Sequence, residues 1–379
     1  MPHTFNVINK TLRLACIGTL LCVATAADAQ KIEVGSYEFK DGSIYTGDLF
    51  NGKPNGVGRT VYKNGDIYEG DWVKGKRDGT GVCNFADGER YDGQWYQDQR
   101  HGRGTYFSLN NNRYEGLWYR NAKEGEGTMF YYNGDKYVGT WKDDKRNGKG
   151  TYFYKNGAYY KGDWVDDVKT GKGIFDWNDG AKYEGYWQDN KRNGKGTYFY
   201  PDGDYYQGDW KNDVQDGRGI YRFRNGDVYE GDYRQGERTG EGVFTFANGD
   251  VYKGQFVAGQ QSGQGTFIWK GVATYTGSWK NDKRNGYGKY KWKNGDEYEG
   301  NWQDNLMHGE GILRTSGGEK YKGSFKMGKK DGRAIEISAD GTRFDGTYKD
   351  GEKDGKFTEY DANGNVIRKG EYRNGRLVK

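Results

Sequence analysis

Residues 137–159 read YVGTWKDDKRNGKGTYFYKNGAY, and these 23 positions decide the fold. Tyr137, Gly139 and Trp141 alternate with Val138 and Thr140, the period-two pattern of a strand with one apolar face. Gly148, Gly150, Tyr152 and Tyr154 alternate with Lys149, Thr151 and Phe153, which makes a second strand. Asn156-Gly157 ends it, a dipeptide suited to a tight turn because glycine reaches positive φ at no steric cost. The segment is a β-hairpin.

The hairpin recurs. An aromatic followed two residues later by Gly returns every 23 residues, fourteen times, at Tyr45, Tyr68, Tyr91, Tyr114, Tyr137, Tyr160, Tyr183, Tyr206, Tyr229, Tyr252, Tyr275, Tyr298, Tyr321 and Phe344. A fixed period of this length marks a repeat architecture in which each unit buries its apolar face against its neighbours. The expected fold is all-β, an elongated single-layer antiparallel sheet of about fourteen stacked hairpins over residues 45–366. A sheet this polar can bury only one face, and a three-residue connection with glycine in a left-handed bulge keeps the aromatics together on it. The register expected from this places Tyr137 opposite Tyr154, Gly139 opposite Tyr152 and Trp141 opposite Gly150. In that register the glycines are sockets for the rings of neighbouring strands.

The flanks keep the phase. Gly35, Tyr37, Phe39 and Gly42 match the second strand and turn of a preceding unit, so residues 30–44 are expected to form a half-repeat cap. Towards the other end Ala334 and Phe357 replace the second Gly, and Ile367 stands at the Tyr position. Residues 367–379 read as a degenerate cap strand loaded with Arg368, Lys369, Arg373, Arg376 and Lys379, a cationic edge that discourages aggregation.

A hydrophobic fraction of 33% would ordinarily suggest disorder, but the 34 Tyr and 65 Gly are locked to the repeat phase. Residues 1–29 differ in kind. Lys10 and Arg13 precede an apolar run from Leu14 to Ala26, and Ala27-Asp28-Ala29 offers small residues before Gln30. This is the pattern of a secretory signal peptide cut near Ala29. The run is shorter than the ~20 apolar residues of a membrane span, and no later segment is apolar enough for one. The mature chain is therefore expected to be exported, either to a periplasm or to the cell surface. Cys16 and Cys22 would leave with the signal, so Cys83 would remain without an internal disulfide partner. It stands where most repeats place an aromatic, which makes it a packed small apolar residue. Losing Lys10, Arg13 and Asp28 lowers the formal charge of +5 by one unit. That gives no support to nucleic acid as a partner.

The Y-x-G-x-W element with G-x-G eleven residues after the Tyr resembles the MORN repeat (membrane occupation and recognition nexus), over residues 34–375. The resemblance implies a chain of β-hairpins in an elongated, often curved sheet. Its members act as scaffolds, tethers and dimerisation modules, and some accompany lipid kinases or membrane-junction proteins. An export signal and the absence of an attached kinase separate this chain from those last roles. The expected function is a non-catalytic exported scaffold for protein–protein interaction or tethering, with a homodimer left open.

Catalytic patterns are sparse. His101 and His308 share one repeat phase, just before the first Gly of G-x-G, nine repeats apart. That is on the order of 90 Å along such a sheet, too far to share a metal or a proton relay. The G-x-G pairs precede strands rather than helices, so they are not dinucleotide fingerprints. Asp143-Asp144 and Asp166-Asp167 lack the glycine and glutamate of a calcium loop. No cofactor and no metal are expected. One pattern points to binding: Lys76-Arg77, Lys145-Arg146, Lys191-Arg192 and Lys283-Arg284, with Lys329-Lys330 further on. Read as lying in the longer loop of each hairpin, they form an intermittent cationic row suited to anionic phospholipid or acidic glycan. The structural positions are Tyr137, Gly139, Trp141, Gly148, Gly150 and Tyr152, and their equivalents.

Overall fold

A computed structural model describes residues 32–378. The expected signal peptide, and the first two residues of the expected N-terminal cap, lie outside them. Two compact units are present: residues up to Ala86 with Trp95–Asp98, and Asp87–Gln94 with Gln99 onward. Each is a single-layer antiparallel meander of hairpins, and no helix occurs among the described residues.

One repeat shows why the sequence folds this way. A seven-residue strand, Lys136–Lys142, is followed by a nine-residue strand, Lys145–Phe153. No long loop lies between them. Asp143 and Asp144 both take positive φ, 47° and 67°, and Lys142 pairs directly with Lys145. This is the two-residue primed turn that matches strand twist and accepts Asp readily. The Lys-Arg pairs therefore open a strand and do not sit in a loop, which corrects the sequence reading. The connection to the next repeat is the expected three-residue one. The Gly157 amide donates to Tyr154 O at 3.0 Å and the Tyr154 amide to Ala158 O at 2.9 Å, with Gly157 at φ 91°.

The strands differ by two residues, and the excess is taken up in a bulge. Gly139 pairs with Gly150, but Trp141 pairs with Arg146. Gly148 turns the bulge with φ 85°. An even-numbered excess preserves which side chains share a face, so the one-sided aromatic layer forms as expected. The partners differ from those expected, however. Tyr137 faces Tyr152 and, on its other side, Met129; Gly139 faces Gly150 and Gly127; Trp141 faces Arg146 and Gly125. Glycine opposes glycine from strand to strand, as again at Gly150–Gly162 and Gly173–Gly185.

The core is the ring layer on this glycine row. The Tyr137 ring folds along its own strand and covers Gly139 and Gly150, so a Cβ built at Gly150 would fall inside the phenol. The socket's occupant is thus Tyr137 and not Trp141, a correction that follows from the register. Its hydroxyl donates to Thr140 O at 3.1 Å, and Tyr137 is fully buried. Trp141 packs edge-on against Tyr137 and against Tyr114 of the preceding repeat, at 5.2 and 5.4 Å. Its indole donates to Gly127 O at 3.3 Å. In this way Tyr and Trp alternate from repeat to repeat through edge-to-face contacts, each worth ~0.5–1.5 kcal/mol beyond buried area. A second line of half-buried rings runs beside the first, through Tyr152, Tyr154, Phe175 and Trp177 at 4.7, 5.6 and 4.4 Å.

Cys83 takes the ring position opposite Tyr68 and is fully buried, as expected, with its Sγ accepting from Arg77 Nη1 at 4.0 Å. Near the C-terminus one expectation fails. An irregularity between Glu359 and Tyr360 shifts the last strand, Val366–Arg373, by one residue. Arg368, not Ile367, takes the tyrosine phase, and Ile367 is 59% exposed.

Candidate interaction surfaces

The four arginines of the Lys-Arg pairs turn inward. Arg146 lies over the Trp164 ring of the next repeat, 4.4 Å from its centroid. Its Nε is 2.7 Å from Asp167 Oδ1, and its Nη2 donates to Asp167 O at 3.2 Å. Arg77 does the same with Trp95 and Asp98, and Arg192 with Trp210 and Asp213. Arg284 lies over Trp302 and donates to Asn305 O. Each guanidinium therefore joins one repeat to the next by stacking and by charge-assisted bonds. Lys123 and Lys169 occupy the same phase over Trp141 and Trp187, and burial lowers both of their ammonium pKa values. The sequence held this signal: Arg100, Lys123, Lys169 and Arg238 stand nine residues after their tyrosines in repeats that lack the preceding Lys. Lys76, Lys145, Lys191 and Lys283 stay exposed at the start of their strands. Lys283 lies 3.3 Å from Asp304.

The acidic pairs are turn residues, and they also join repeats. Asp144 Oδ1 accepts from the Lys123 amide at 3.0 Å, and Asp167 Oδ1 from the Arg146 amide at 3.0 Å. At the opposite end of the hairpins, Asp135 Oδ1 accepts from the Lys155 amide at 2.8 Å. At Asp296 the bond from the Ser316 amide, helped by Asn294, holds the carboxyl below its ordinary range. His101 lies 5.3 Å from the Tyr119 ring, and His308 shares a shallow cavity with Asn285, Trp302 and Asp304. The two histidines sit in different repeats and share no site. No group of three or more His, Cys, Asp or Glu side chains able to hold a metal occurs among the described residues.

The face opposite the rings is the solvent face. Between the side-chain row of Lys149, Lys172 and Tyr186 and that of Thr151, Lys161 and Ile174, this face has a trough floored by backbone. Three successive concavities of 780, 650 and 520 Å³ lie along it. Gly150, Gly162, Gly173 and Gly185 floor the middle one, with Lys149, Lys172 and Tyr186 on one wall. The wall charges are largely paired across strands: Lys149 with Asp163, Lys195 with Asp209 at 2.7 Å, and Arg218 with Asp232 at 3.3 Å. Sequence reasoning missed this trough because it depends on a cross-strand register that periodicity does not specify.

No curated protein matches the chain. Among solved structures, the TCP domain of Drosophila melanogaster SAS-4 (dCPAP), in complex with a proline-rich motif of Ana2, overlaps 47% of this chain and 90% of its own. It does so at 13% identity and a TM-score of 0.28. The TCP10 domain of Danio rerio CPAP overlaps 77% of this chain and 99% of its own, at 10% identity and a TM-score of 0.17. The family comparison is of a different order. The MORN repeat matches fourteen times between residues 45 and 366, with boundaries at 68, 91, 114, 137 and onward that coincide with the ring-bearing tyrosines. With the hairpin, the ring-on-glycine layer and the period all accounted for by one unit, the chain belongs to the MORN-repeat family.

Proposed function

We propose that the chain is a non-catalytic exported scaffold that engages a protein partner through the solvent face of its hairpins. One observation carries this reading: the ring face repeats almost unchanged, while the chemistry of the solvent face varies along the chain. Tyr or Phe holds the buried position fourteen times, whereas the next residue runs Glu115, Val138, Lys161, Glu184, Gln207 and Glu230 in successive copies. A surface of constant geometry and varying chemistry suits recognition of an extended partner, with backbone approach along the trough and side-chain contacts at its walls. The test is site-specific photo-crosslinking in the producing cell, with the reactive group placed at Lys161 and, as a control, at Lys145 at the hairpin end. A discrete partner captured from Lys161 alone supports the reading. Equal capture from both positions, or none from either, sinks it. Export is checked by the mature N-terminal residue, expected next to Ala29.

A second reading, attachment to anionic phospholipid or acidic glycan, rests on Lys76, Lys145, Lys191 and Lys283, since the neighbouring arginines are engaged inside the fold. Exposed charges of this kind contribute up to ~1 kcal/mol each near an anionic surface and are weakened by salt. Binding to phosphatidylserine vesicles that survives changing all four to Ala would remove this reading.

A further inference from the structure

The two outermost strands are complementary fragments of one strand. Each internal repeat contains a nine-residue strand such as Lys145–Phe153. At the N-terminal side, Glu33–Glu38 pairs with Ile44–Phe50, and its turn is closed by the Gly42 amide on Phe39 O. Counting back from that turn, Glu33–Glu38 corresponds to the last six positions, 148–153. At the C-terminal side, Arg373 pairs with Arg376 across a two-residue turn, as Lys142 does with Lys145. Arg376 and Leu377 pair with the preceding strand, and the Val378 amide donates to Glu371 O at 2.9 Å. These three residues correspond to positions 145–147. Three and six make the nine positions of an internal strand, without overlap and without a gap.

The rest of the edge fits the same way. The strand Val366–Arg373 is bonded on one side to Gly355–Tyr360, and among the described residues its other side is covered only beyond Gly370, by the short Arg376–Val378 segment. Gly370 stands at the phase of Gly139, and Gly35 at the phase of Gly150. Gly35 has no internal demand matching that of Gly150. A Cβ there would meet only the flexible Leu49 side chain, whereas at Gly150 it would strike the tyrosine of the preceding strand. Charge completes the match. Glu33 and Glu38 lie on the first strand; the last strand and its extension carry Arg368, Lys369, Arg373 and Arg376 against Glu371, a net positive edge in which Arg368 lies 2.7 Å from Glu359 and Arg373 3.5 Å from Glu371. A cationic edge opposes pairing with a copy of itself and favours an acidic one.

We propose that the partner of each edge is a second copy of this chain, joined head to tail. Val366–Gly370 of one copy hydrogen-bonds to Glu33–Glu38 of the next, with Gly370 opposite Gly35, Lys369 opposite Ser36 and Arg368 opposite Tyr37. The contact is heterologous, so it leaves one free edge of each kind and propagates. It is the hairpin register of the internal repeats carried across a molecular boundary.

The experiment is light scattering of the full chain over a range of concentrations at low and high salt, followed by cross-linking. Mass should rise with concentration beyond the dimer and fall with salt. Lys369→Glu with Arg368→Glu should return the chain to monomer, as should Glu33→Lys with Glu38→Lys. Mixing the two variants should restore assemblies larger than a dimer, because the acidic last edge of one and the basic first edge of the other are again complementary, as are their unchanged edges; a mixture that stays monomeric would overturn the proposal. All four positions are exposed or carry surface charge, and unchanged circular dichroism would confirm that the variants fold. Mixing Ser36→Cys with Lys369→Cys chains should give the 36–369 disulfide between copies. A monomer at every concentration would overturn the proposal, and so would a dimer that stops at two with 369–369 cross-links.

Discussion

The repeats around Tyr137 and those beyond Tyr321 solve the same packing problem with different chemistry. In the former, a phenol lies on a glycine pair, its hydroxyl bonds a backbone carbonyl three residues on, and an arginine covers the next indole. In the latter, Phe344 has no hydroxyl, and Ala334 and Phe357 take the second-glycine positions. Ring on glycine becomes ring on ring, with Phe344 and Phe357 stacked at 5.4 Å and 24°. Glu336 stands where other repeats place a ring. It is bound by Lys330 at 2.5 Å and the Tyr348 hydroxyl at 2.6 Å, with Lys353 at 3.8 Å. The lesson is that the backbone scaffold tolerates either interior. Only the first, however, passes the same contact unchanged from repeat to repeat.

The comparison predicts opposite pH limits, and this is the largest expected effect. Burial pushes the phenols of Tyr229 and Tyr275 up to about 12. Their contribution to stability is complete below the ordinary tyrosine value near 10 and is lost as pH rises through about 12. With a buried phenol in nearly every repeat, unfolding should become cooperative and steep across that window, as followed by far-UV circular dichroism. Glu336 has the opposite sign. Burial alone would raise its pKa, but the Lys330 and Tyr348 hydrogen bonds and the lysine charges hold it below the ordinary glutamate value. Its contribution is present above about 4.5 and is lost as pH falls through the depressed folded value. Amide exchange in residues 321–360 should therefore accelerate in acid before that in residues 137–200, and Glu336→Gln should abolish the difference. Uniform acid loss along the chain would show that the two interiors are not distinct.

Substitution at the sockets comes next. Gly150→Val forces a branched side chain into the Tyr137 phenol and should cost roughly 1–3 kcal/mol by overpacking. The loss of exchange protection should be confined to adjoining repeats, because each contacts only its neighbours. Lys149→Val, on the solvent face, should stay within ~0.5 kcal/mol. At the other end Ala334→Gly should cost less than Gly150→Val, since a Cβ is already housed there. Equal urea shifts for Gly150→Val and Lys149→Val would mean that the faces are wrongly assigned.

Arg146→Ala removes a stacked guanidinium and two bonds to Asp167, and should cost about 1–2 kcal/mol. Lys145→Ala next to it should cost almost nothing, which separates the inward arginine from the outward lysine. The smallest effect on the ring face is at the phenol itself. Tyr137→Phe removes one hydrogen bond and should cost about 1 kcal/mol, making that repeat locally like the one at Phe344. No change in the denaturation midpoint would show that the hydroxyl is a passenger.

Much of this was legible in residues 137–159. Alternation identified both strands, the Asn-Gly phase identified the bulged turn, and the 23-residue period identified the repeat. The ring face followed because a polar sheet can bury only one side. What escaped was any feature set by partner identity across strands. The two-residue bulge moved every within-repeat pairing by an even step. Faces survived, but Tyr137 replaced Trp141 as the occupant of the glycine socket. The same ambiguity hid the trough, whose two walls are rows of side chains aligned by the register across strands. Lys145 and Arg146 were indistinguishable as a basic dipeptide, yet adjacent residues on a strand point to opposite sides, and only one of the two has an indole within reach.

The sequence by itself determined the hairpin, its period and its buried face, because these depend on local backbone preference and on alternation along one strand. The tertiary structure alone decided register, the inward turn of the arginines and the complementarity of the two outer edges. Those depend on which strand lies beside which, and a slip of two residues satisfies the local pattern equally well.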